Sequence, residues 1–170
     1  WLARPVRHGH YVAGRSVSTA RERRYAIDTN LYINGFRNAA DRDALEGFVR
    51  AFAPFCFLPA VVAQELISGV RTKSEERALE RHLINQYDRR GRLLSPSADS
   101  WLESGRVLRA LVQSEGLELG RVSKAFGNDV LLAATCREHG VCLVTENERD
   151  FVRIRRHLKF DFVAPWPSPA

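Results

Sequence analysis

Several features that would assign the chain quickly to a function class are missing from its 170 residues. No apolar run approaches the roughly 20 residues that a membrane-spanning helix needs, so we expect no membrane segment. The sequence contains neither the glycine-rich loop of nucleotide hydrolases nor the GxGxxG pattern of dinucleotide-binding enzymes. No Ser–His–Asp or Cys–His–Asp set stands out for nucleophilic catalysis. The commonest nucleotide-binding and nucleophile-dependent enzyme classes are therefore excluded.

Cysteine is scarce, with only Cys56, Cys136 and Cys142. The number is odd, no CxxC pair indicates a zinc site, and each cysteine stands among apolar neighbours. We interpret them as small buried hydrophobic residues of a protein in a reducing compartment. We therefore expect the protein in the cytoplasm.

Excess charge is lacking outside the N-terminal end. The net charge is +6, and residues 1–24 contribute most of it because six arginines stand there against one glutamate. Residues 1–23 are polar and aperiodic, which predicts a flexible basic extension ahead of a domain at residues 24–170. The extension is either a tail without a role in the fold or an arm that contacts nucleic acid. The remaining chain is nearly neutral, so its charge alone names no partner.

Short apolar segments alternate with helical patterns beyond this extension. Strands are predicted at residues 25–27, 55–58, 92–94, 141–145 and 160–163. Helices occupy the intervals between them. This alternation predicts an α/β fold with three α/β/α layers, in which helices cover both faces of a parallel, about five-stranded central sheet.

Two of the predicted helices carry details that the structure can test. One starts at residues 95–97, and its inward side is predicted to contain Trp101, Leu102, Leu108, Leu111 and Val112. The other is predicted to begin at residues 127–129. Asp129 would then lie in the first turn of that helix.

Three carboxylates occupy positions where functional side chains of parallel α/β proteins gather. Asp28 directly follows the first strand, Glu65 lies on an almost wholly apolar helix, and Asp129 opens another buried helix. Each has a structural alternative. Asp28 can cap a helix, Glu65 can pair with an arginine, and Asp129 can be favoured by the helix dipole.

The strand at residues 141–145 brings further oxygen ligands, Asn147 and Asp150, to the same edge of the sheet. Carboxylates that converge in one pocket repel each other and cannot all stay ionised without cations. Mg²⁺ and Mn²⁺ prefer such oxygen ligands. When bound, they turn water into a nucleophile and stabilise the charge that develops at a phosphodiester. The residues therefore indicate a divalent-metal site.

Four motifs surround these residues, at Ala26–Asn30, Gln64–Leu66, Asn128–Ala134 and Leu143–Phe151. In this order and at these structural positions, they resemble the four motifs of PIN-domain nucleases, in the form common among VapC-type toxins. The resemblance covers about residues 24–165. It implies the PIN-like form of the three-layer fold described above.

The resemblance implies a Mg²⁺- or Mn²⁺-dependent endoribonuclease, the toxin of a toxin–antitoxin pair, that hydrolyses RNA with metal-activated water. It implies that Asp28, Glu65 and Asp129 bind the metal, and these three acids form the predicted catalytic set together with Asp150. Asn147 stands where many relatives have aspartate, so either Asn147 or Asp150 is the fourth ligand. Asn30 is expected to orient Asp28 through its side-chain amide, and Thr145 to hold a ligand or a water.

The resemblance also implies partners, namely an RNA substrate, a small antitoxin whose tail fills the cleft, and a second copy in a homodimer. Near the predicted site, Arg149, Arg153 and Arg156 either contact RNA phosphates or form the solvated face of a basic helix.

The alternative function is a catalytically inactive PIN-fold scaffold or RNA-binding module. A phosphoryl-switch receiver domain shares the parallel sheet, but it needs adjacent acids after the first strand and a lysine after the last. Thr29 follows Asp28, and Ala164 follows Val163, so the sequence lacks both features.

Overall fold

The structure is a computed structural model that describes residues 23–167. The extension predicted for residues 1–23 therefore lies outside the described residues, except for Arg23. The strands are β1 Tyr25–Ile27, β2 Cys56–Pro59, β3 Leu93–Leu94, β4 Cys142–Val144 and β5 Phe162–Val163. The helices are α1 Thr29–Arg37, α2 Ala39–Ala51, α3 Ala60–Gly69, α4 Lys73–Leu79, α5 Asn85–Asp88, α6 Ala98–Glu115, α7 Lys124–His139 and α8 Glu148–Arg155.

The five strands form one parallel sheet in the order β3-β2-β1-β4-β5. The chain runs outward from β1 through β2 to β3, and then returns to the other side of β1 to add β4 and β5. The strand order therefore reverses between β1 and β4, which pair with Ile27 opposite Val144. In open parallel sheets, ligands bind at the carboxyl ends of strands at such a reversal.

The central strands are buried on both faces. Successive residues of a strand point to opposite faces of the sheet. All residues of β1 and β4 are nevertheless at most 2% exposed, so helices cover both sides. On one face, the Tyr25 ring packs edge-on against Phe48 and Phe52 of the α2 region, at centroid distances of 5.4 and 5.1 Å. The predicted α/β fold with a parallel five-stranded sheet is confirmed.

Helix α7 begins earlier than predicted. Ser123 caps its N-terminus by accepting a hydrogen bond from the backbone N–H of Phe126 at 3.1 Å. This cap starts the helix at Lys124 rather than at residues 127–129. Asp129 consequently lies beyond the first turn, so the predicted helix-dipole explanation for this carboxylate is wrong.

The inward face of α6 also differs from the prediction. Leu111 is fully buried as expected, but Trp101 and Leu102 are 59% and 58% exposed. The serines Ser100 and Ser104 take the inward positions instead. Their hydroxyls stay hydrogen-bonded, since Ser100 donates to Glu138 of α7 and Ser104 to the Trp101 carbonyl. Small satisfied hydroxyls can therefore occupy the interface with α7, where the hydrophobic pattern alone predicts large apolar residues.

Helical backbone runs without a break from Lys73 to Asp88. A π-helical turn at Glu80–Ile84 joins α4 to α5. Gly91 then ends the helical region with a positive φ of 63°, a conformation that glycine adopts without steric cost. Across residues 23–167, no helix is both long and apolar enough to cross a membrane.

Candidate functional site

Asp28 lies where β1 ends, next to the end of β4. Its side chain is almost fully buried, with the residue 4% exposed. One carboxylate oxygen accepts a hydrogen bond from the Thr29 backbone N–H at 2.7 Å, and the other accepts one from the Thr145 hydroxyl at 2.6 Å. The first bond makes Asp28 the N-cap of α1. Asp28 is therefore a helix cap, and its carboxylate also lies at the sheet edge beside the end of β4.

Glu65 reaches the same edge from α3. Its Oε2 accepts a hydrogen bond from the Thr29 hydroxyl at 2.5 Å, and its Oε1 accepts one from the Asn128 side-chain amide at 2.8 Å. No arginine or lysine of residues 23–167 pairs with it. The structural alternative of an arginine partner is therefore not realised. Neutral donors hold Glu65 in place and leave its negative charge uncompensated.

Asn147 connects the two remaining acids. Its side-chain nitrogen donates to Asp129 Oδ2 at 3.0 Å and to Asp150 Oδ2 at 3.2 Å. Its backbone N–H donates to the Thr145 hydroxyl at 2.9 Å. The prediction that Asn147 offers an oxygen ligand differs from this arrangement. Because two carboxylates flank the amide, the amide turns its donor side toward them.

The electrostatics of the site follow from its burial. The pKa of Asp129 is raised to about 8, first by burial and then by the negative charges of Asp28, Asp150 and Glu65, while the hydrogen bond from Asn147 opposes this shift. Burial also raises the pKa of Asp28, although the hydrogen bonds from Thr145 and Thr29 oppose this shift. The site therefore holds more negative charge than its neutral donors can stabilise, and a proton or a cation relieves it.

The donor set fits a hard divalent cation. All candidate ligands are carboxylate or amide oxygens, without the nitrogen or sulfur ligands that zinc prefers. Within residues 23–167, no three His, Cys, Asp or Glu side chains are already gathered tightly enough to hold a metal ion. The site thus has oxygen donors of the right chemical type, but these donors are not arranged as a complete metal coordination site.

Asn30 does not hydrogen-bond Asp28 in this structure. Its side-chain Oδ1 is buried without a hydrogen-bond partner among the described residues. Hydrogen bonds from the Thr29 backbone N–H and the Thr145 hydroxyl orient the Asp28 carboxylate instead. The prediction that Asn30 orients Asp28 is therefore not realised in this structure.

Sequence reasoning did not single out Thr29 and Asn128, which both bind Glu65. Each directly neighbours a predicted acid in the sequence. A hydroxyl or amide adjacent to a buried carboxylate is a candidate donor for a second carboxylate, and this signal could have identified both residues.

The three arginines of the α8 region have different surroundings. Arg149 is exposed and forms no ion pair with a described residue. Arg153 pairs with Glu115 at 2.9 Å and lies 3.6 Å from Asp150. Arg156 also pairs with Glu115, at 3.5 Å. The structure therefore leaves only Arg149 of this set unpaired among residues 23–167.

A groove separates the α1–α2 pair from the α3–α5 segment, with a volume of about 1100 Å³. Its apolar lining includes Tyr32, Phe36, Leu45, Val49, Leu79 and Leu83. Its charged lining comprises Arg37, Arg50, Arg71, Arg90 and Arg92 against Glu46 and Glu75. Phe36 remains 59% exposed there. The groove thus combines an apolar floor with a net basic rim.

Comparison with known proteins finds a protein family whose sequence pattern matches most of the chain. The family model described as PIN domain matches residues 25–157. No curated protein matches the chain in sequence.

Several solved structures share the fold. DNA-bound VapBC from Salmonella typhimurium is 20% identical with a TM-score of 0.62, and the match covers 84% of this chain and 98% of that one. FitAcB from Neisseria gonorrhoeae is 18% identical with a TM-score of 0.59 and coverages of 85% and 99%. VapBC2 from Rickettsia felis, bound to a DNA fragment from its promoter, is 21% identical with a TM-score of 0.54 and coverages of 84% and 98%.

Proposed function

The chain belongs to the PIN-domain family, and from this premise we propose that it is a divalent-metal-dependent endoribonuclease, the toxin of a toxin–antitoxin pair. One observation carries the proposal, namely a continuous network of hydrogen bonds that joins four carboxylates at the carboxyl edge of the sheet. It runs from Glu65 through Thr29 to Asp28, and then through Thr145 to Asn147. Asn147 completes this network, because its side-chain amide donates hydrogen bonds to both Asp129 and Asp150. A purely structural network would not gather this much negative charge.

Asp28, Glu65, Asp129 and Asp150 would hold Mg²⁺ or Mn²⁺. When bound, such an ion supplies an activated water and stabilises negative charge on a phosphodiester. The hydroxyl groups of two threonines orient two of these carboxylates. Thr145 fixes Asp28 against β4, and Thr29 fixes Glu65 against α1. Because these donors carry no charge, they orient the carboxylates and leave the negative charge available to a metal ion.

RNA is the proposed substrate. Arg149 supports this choice, since its exposed guanidinium stands in the first turn of α8, one residue from Asp150. A phosphate of the substrate can approach it without breaking an existing ion pair of the described residues. Binding through such contacts weakens as salt concentration rises.

An antitoxin is the proposed protein partner, because the fold is shared with the VapBC and FitAcB assemblies. The groove between α1–α2 and α3–α5 suits an amphipathic helix with acidic flanks, since its floor is apolar and its rim is basic. A homodimer is proposed from the family resemblance. Inhibition by an antitoxin explains how a cell tolerates the nuclease.

Cleavage assays test the enzymatic proposal. The purified chain, free of antitoxin, is incubated with a mixed tRNA and rRNA pool in Mn²⁺, Mg²⁺ or EDTA. We expect metal-dependent fragments that Asp28→Asn and Asp129→Asn reduce by roughly 100-fold or more, the scale on which loss of a charge-stabilising group acts. Asp43→Asn is the matched control, because Asp43 is an exposed acid of α2. Calorimetry with Mn²⁺ accompanies the assay, and the absence of both cleavage and Mn²⁺ binding would favour the inactive scaffold.

Co-purification tests the partner. The chain is co-expressed with a candidate antitoxin, a small protein chosen from any that is encoded next to its gene. Leu83→Glu places a charge on the groove lining and is expected to release that protein, whereas Leu102→Glu changes an exposed leucine of α6 and is expected to leave the complex intact. Retention of the partner by both variants would show that the groove is not the docking site.

A further inference from the structure

The side chain of Arg153 occupies the junction of α6, α7 and α8. Its Nε and Nη2 lie 3.0 and 2.9 Å from Glu115 Oε2, at the end of α6. Its Nη1 lies 3.6 Å from Asp150 Oδ1, one turn earlier on α8. The guanidinium carbon stands 4.9 Å from the centroid of the Phe126 ring, in the first turn of α7. One planar group thus contacts three helices.

These contacts occupy the guanidinium on both its edge and its face. The side chains of Arg153, Glu115 and Asp150 are only 26%, 24% and 28% exposed, so the pairs are partly shielded from solvent. Arg156 adds a second cation on the other oxygen of Glu115. An RNA phosphate that bound Arg153 would have to displace Glu115. A phosphate-binding role for Arg153 is therefore disfavoured by its surroundings.

The Asp150 carboxylate is held from two sides. Its Oδ2 accepts the hydrogen bond from Asn147, and its Oδ1 faces Arg153. Glu115 anchors Arg153 from α6, and Phe126 supports the guanidinium from the helix that also carries Asp129. The relative placement of the acids on α7 and α8 consequently depends on this group.

We propose that Arg153 is a positioning residue that fixes Asp150 at the metal site, with Glu115 as its anchor. This role rests on the proposed function of the acid site. It requires the planar fork of arginine rather than a positive charge alone, because two donors must engage Glu115 while a third faces Asp150. Partners that orient metal ligands typically change metal affinity by 10- to 100-fold when they are removed.

Arg153→Lys is the decisive variant, because it keeps the charge and removes the fork. We expect Mn²⁺ affinity, measured by titration calorimetry, to fall about tenfold, while RNA binding in EDTA keeps its affinity and its salt dependence. Arg155→Lys is the matched control on α8, since Arg155 is exposed and packs over Phe162 instead. Thermal melting in EDTA confirms that each variant folds.

A double-mutant cycle with Asp150→Asn tests the route of the effect. If Arg153 acts through Asp150, adding Arg153→Lys to Asp150→Asn leaves Mn²⁺ affinity unchanged. Equal Mn²⁺ affinity of the parent and Arg153→Lys, or additive losses in the cycle, would overturn the positioning role alone. A parent chain that binds no Mn²⁺ would overturn both this role and the proposed function.

Discussion

Helix α7 carries two carboxylates with opposite surroundings. Glu138, near its C-terminal end, accepts hydrogen bonds from the Ser97 backbone N–H and the Ser100 hydroxyl, and these bonds lower its pKa. Among residues 23–167, Asp129 near the other end accepts a hydrogen bond only from the amide of Asn147, and its pKa is raised to about 8, chiefly by burial. The same residue class therefore stabilises the fold at one end of the helix and opposes it at the other.

The difference extends to neighbouring acids. At the α6–α7 contact, Glu103 pairs with Arg106 and Arg137, each at 2.8 Å, and the hydrogen bond from Arg106 is the main reason that its pKa is lowered. At the sheet edge, no cation of residues 23–167 pairs with Asp28 or Glu65. The structural acids Glu103 and Glu138 thus receive donors that lower their pKa. Asp28 and Glu65 receive only neutral donors from residues 23–167, although Asp150 of the same site also faces Arg153. This contrast is expected at a functional site, where uncompensated negative charge is available to bind a cation.

The largest expected effect on stability is that of Asp129→Asn in metal-free protein. The substitution removes a buried, repelled charge and keeps the size of the side chain, so we expect the free energy of unfolding at pH 8.5 in EDTA to rise. The increase should be on the order of 2 kcal/mol once the partial solvent exposure of the side chain is allowed for. Urea denaturation measures it, with Asp43→Asn as the exposed-acid control. A loss of stability in Asp129→Asn would mean that Asp129 is a structural acid like Glu138.

The pH dependence of this effect has a definite sign. The pKa of Asp129 is raised to about 8 in the folded chain from its ordinary value of 3.8, so the folded state binds a proton more tightly than the unfolded state. Its contribution to stability is fully present below about pH 4 and is lost as the pH rises toward about 8. We expect this loss in the parent chain in EDTA and not in Asp129→Asn. Parallel stability curves of the two proteins between pH 5 and pH 9 would contradict the assignment.

Local patterns were sufficient to predict the fold and the position of Asp28 at the sheet edge. The apolar runs of β1 and β4 indicate strands buried on both faces, and the residue that ends such a strand must lie at the sheet edge. Asp28 is placed correctly for that reason. The starting point of α7 was missed because Ser123, a cap four residues before Gly127, starts the helix one turn earlier.

Long-range pairing could not be predicted in the same way. Glu115 and Arg153 are 38 residues apart, and nothing in either segment alone indicates the contact. The hydrogen bond between the buried Ser100 and Glu138 likewise exists only when α6 and α7 pack. The donor role of Asn147 requires both Asp129 and Asp150 to be in place. These features follow from tertiary contacts rather than from propensity or periodicity.

The smallest expected effect concerns Glu138, the structural member of the comparison. Glu138→Ala removes the acceptor for the Ser100 hydroxyl, and Ser100 is only 3% exposed. A buried hydroxyl without a partner costs about 1 kcal/mol, so we expect urea denaturation to show a loss of that size. Because Glu138 lies at the opposite end of α7 from the acid site, Mn²⁺ affinity should not change. Glu138→Gln, which keeps an acceptor oxygen, should recover most of the stability, and a failure to recover it would mean that the charge of Glu138 matters more than its hydrogen bonds.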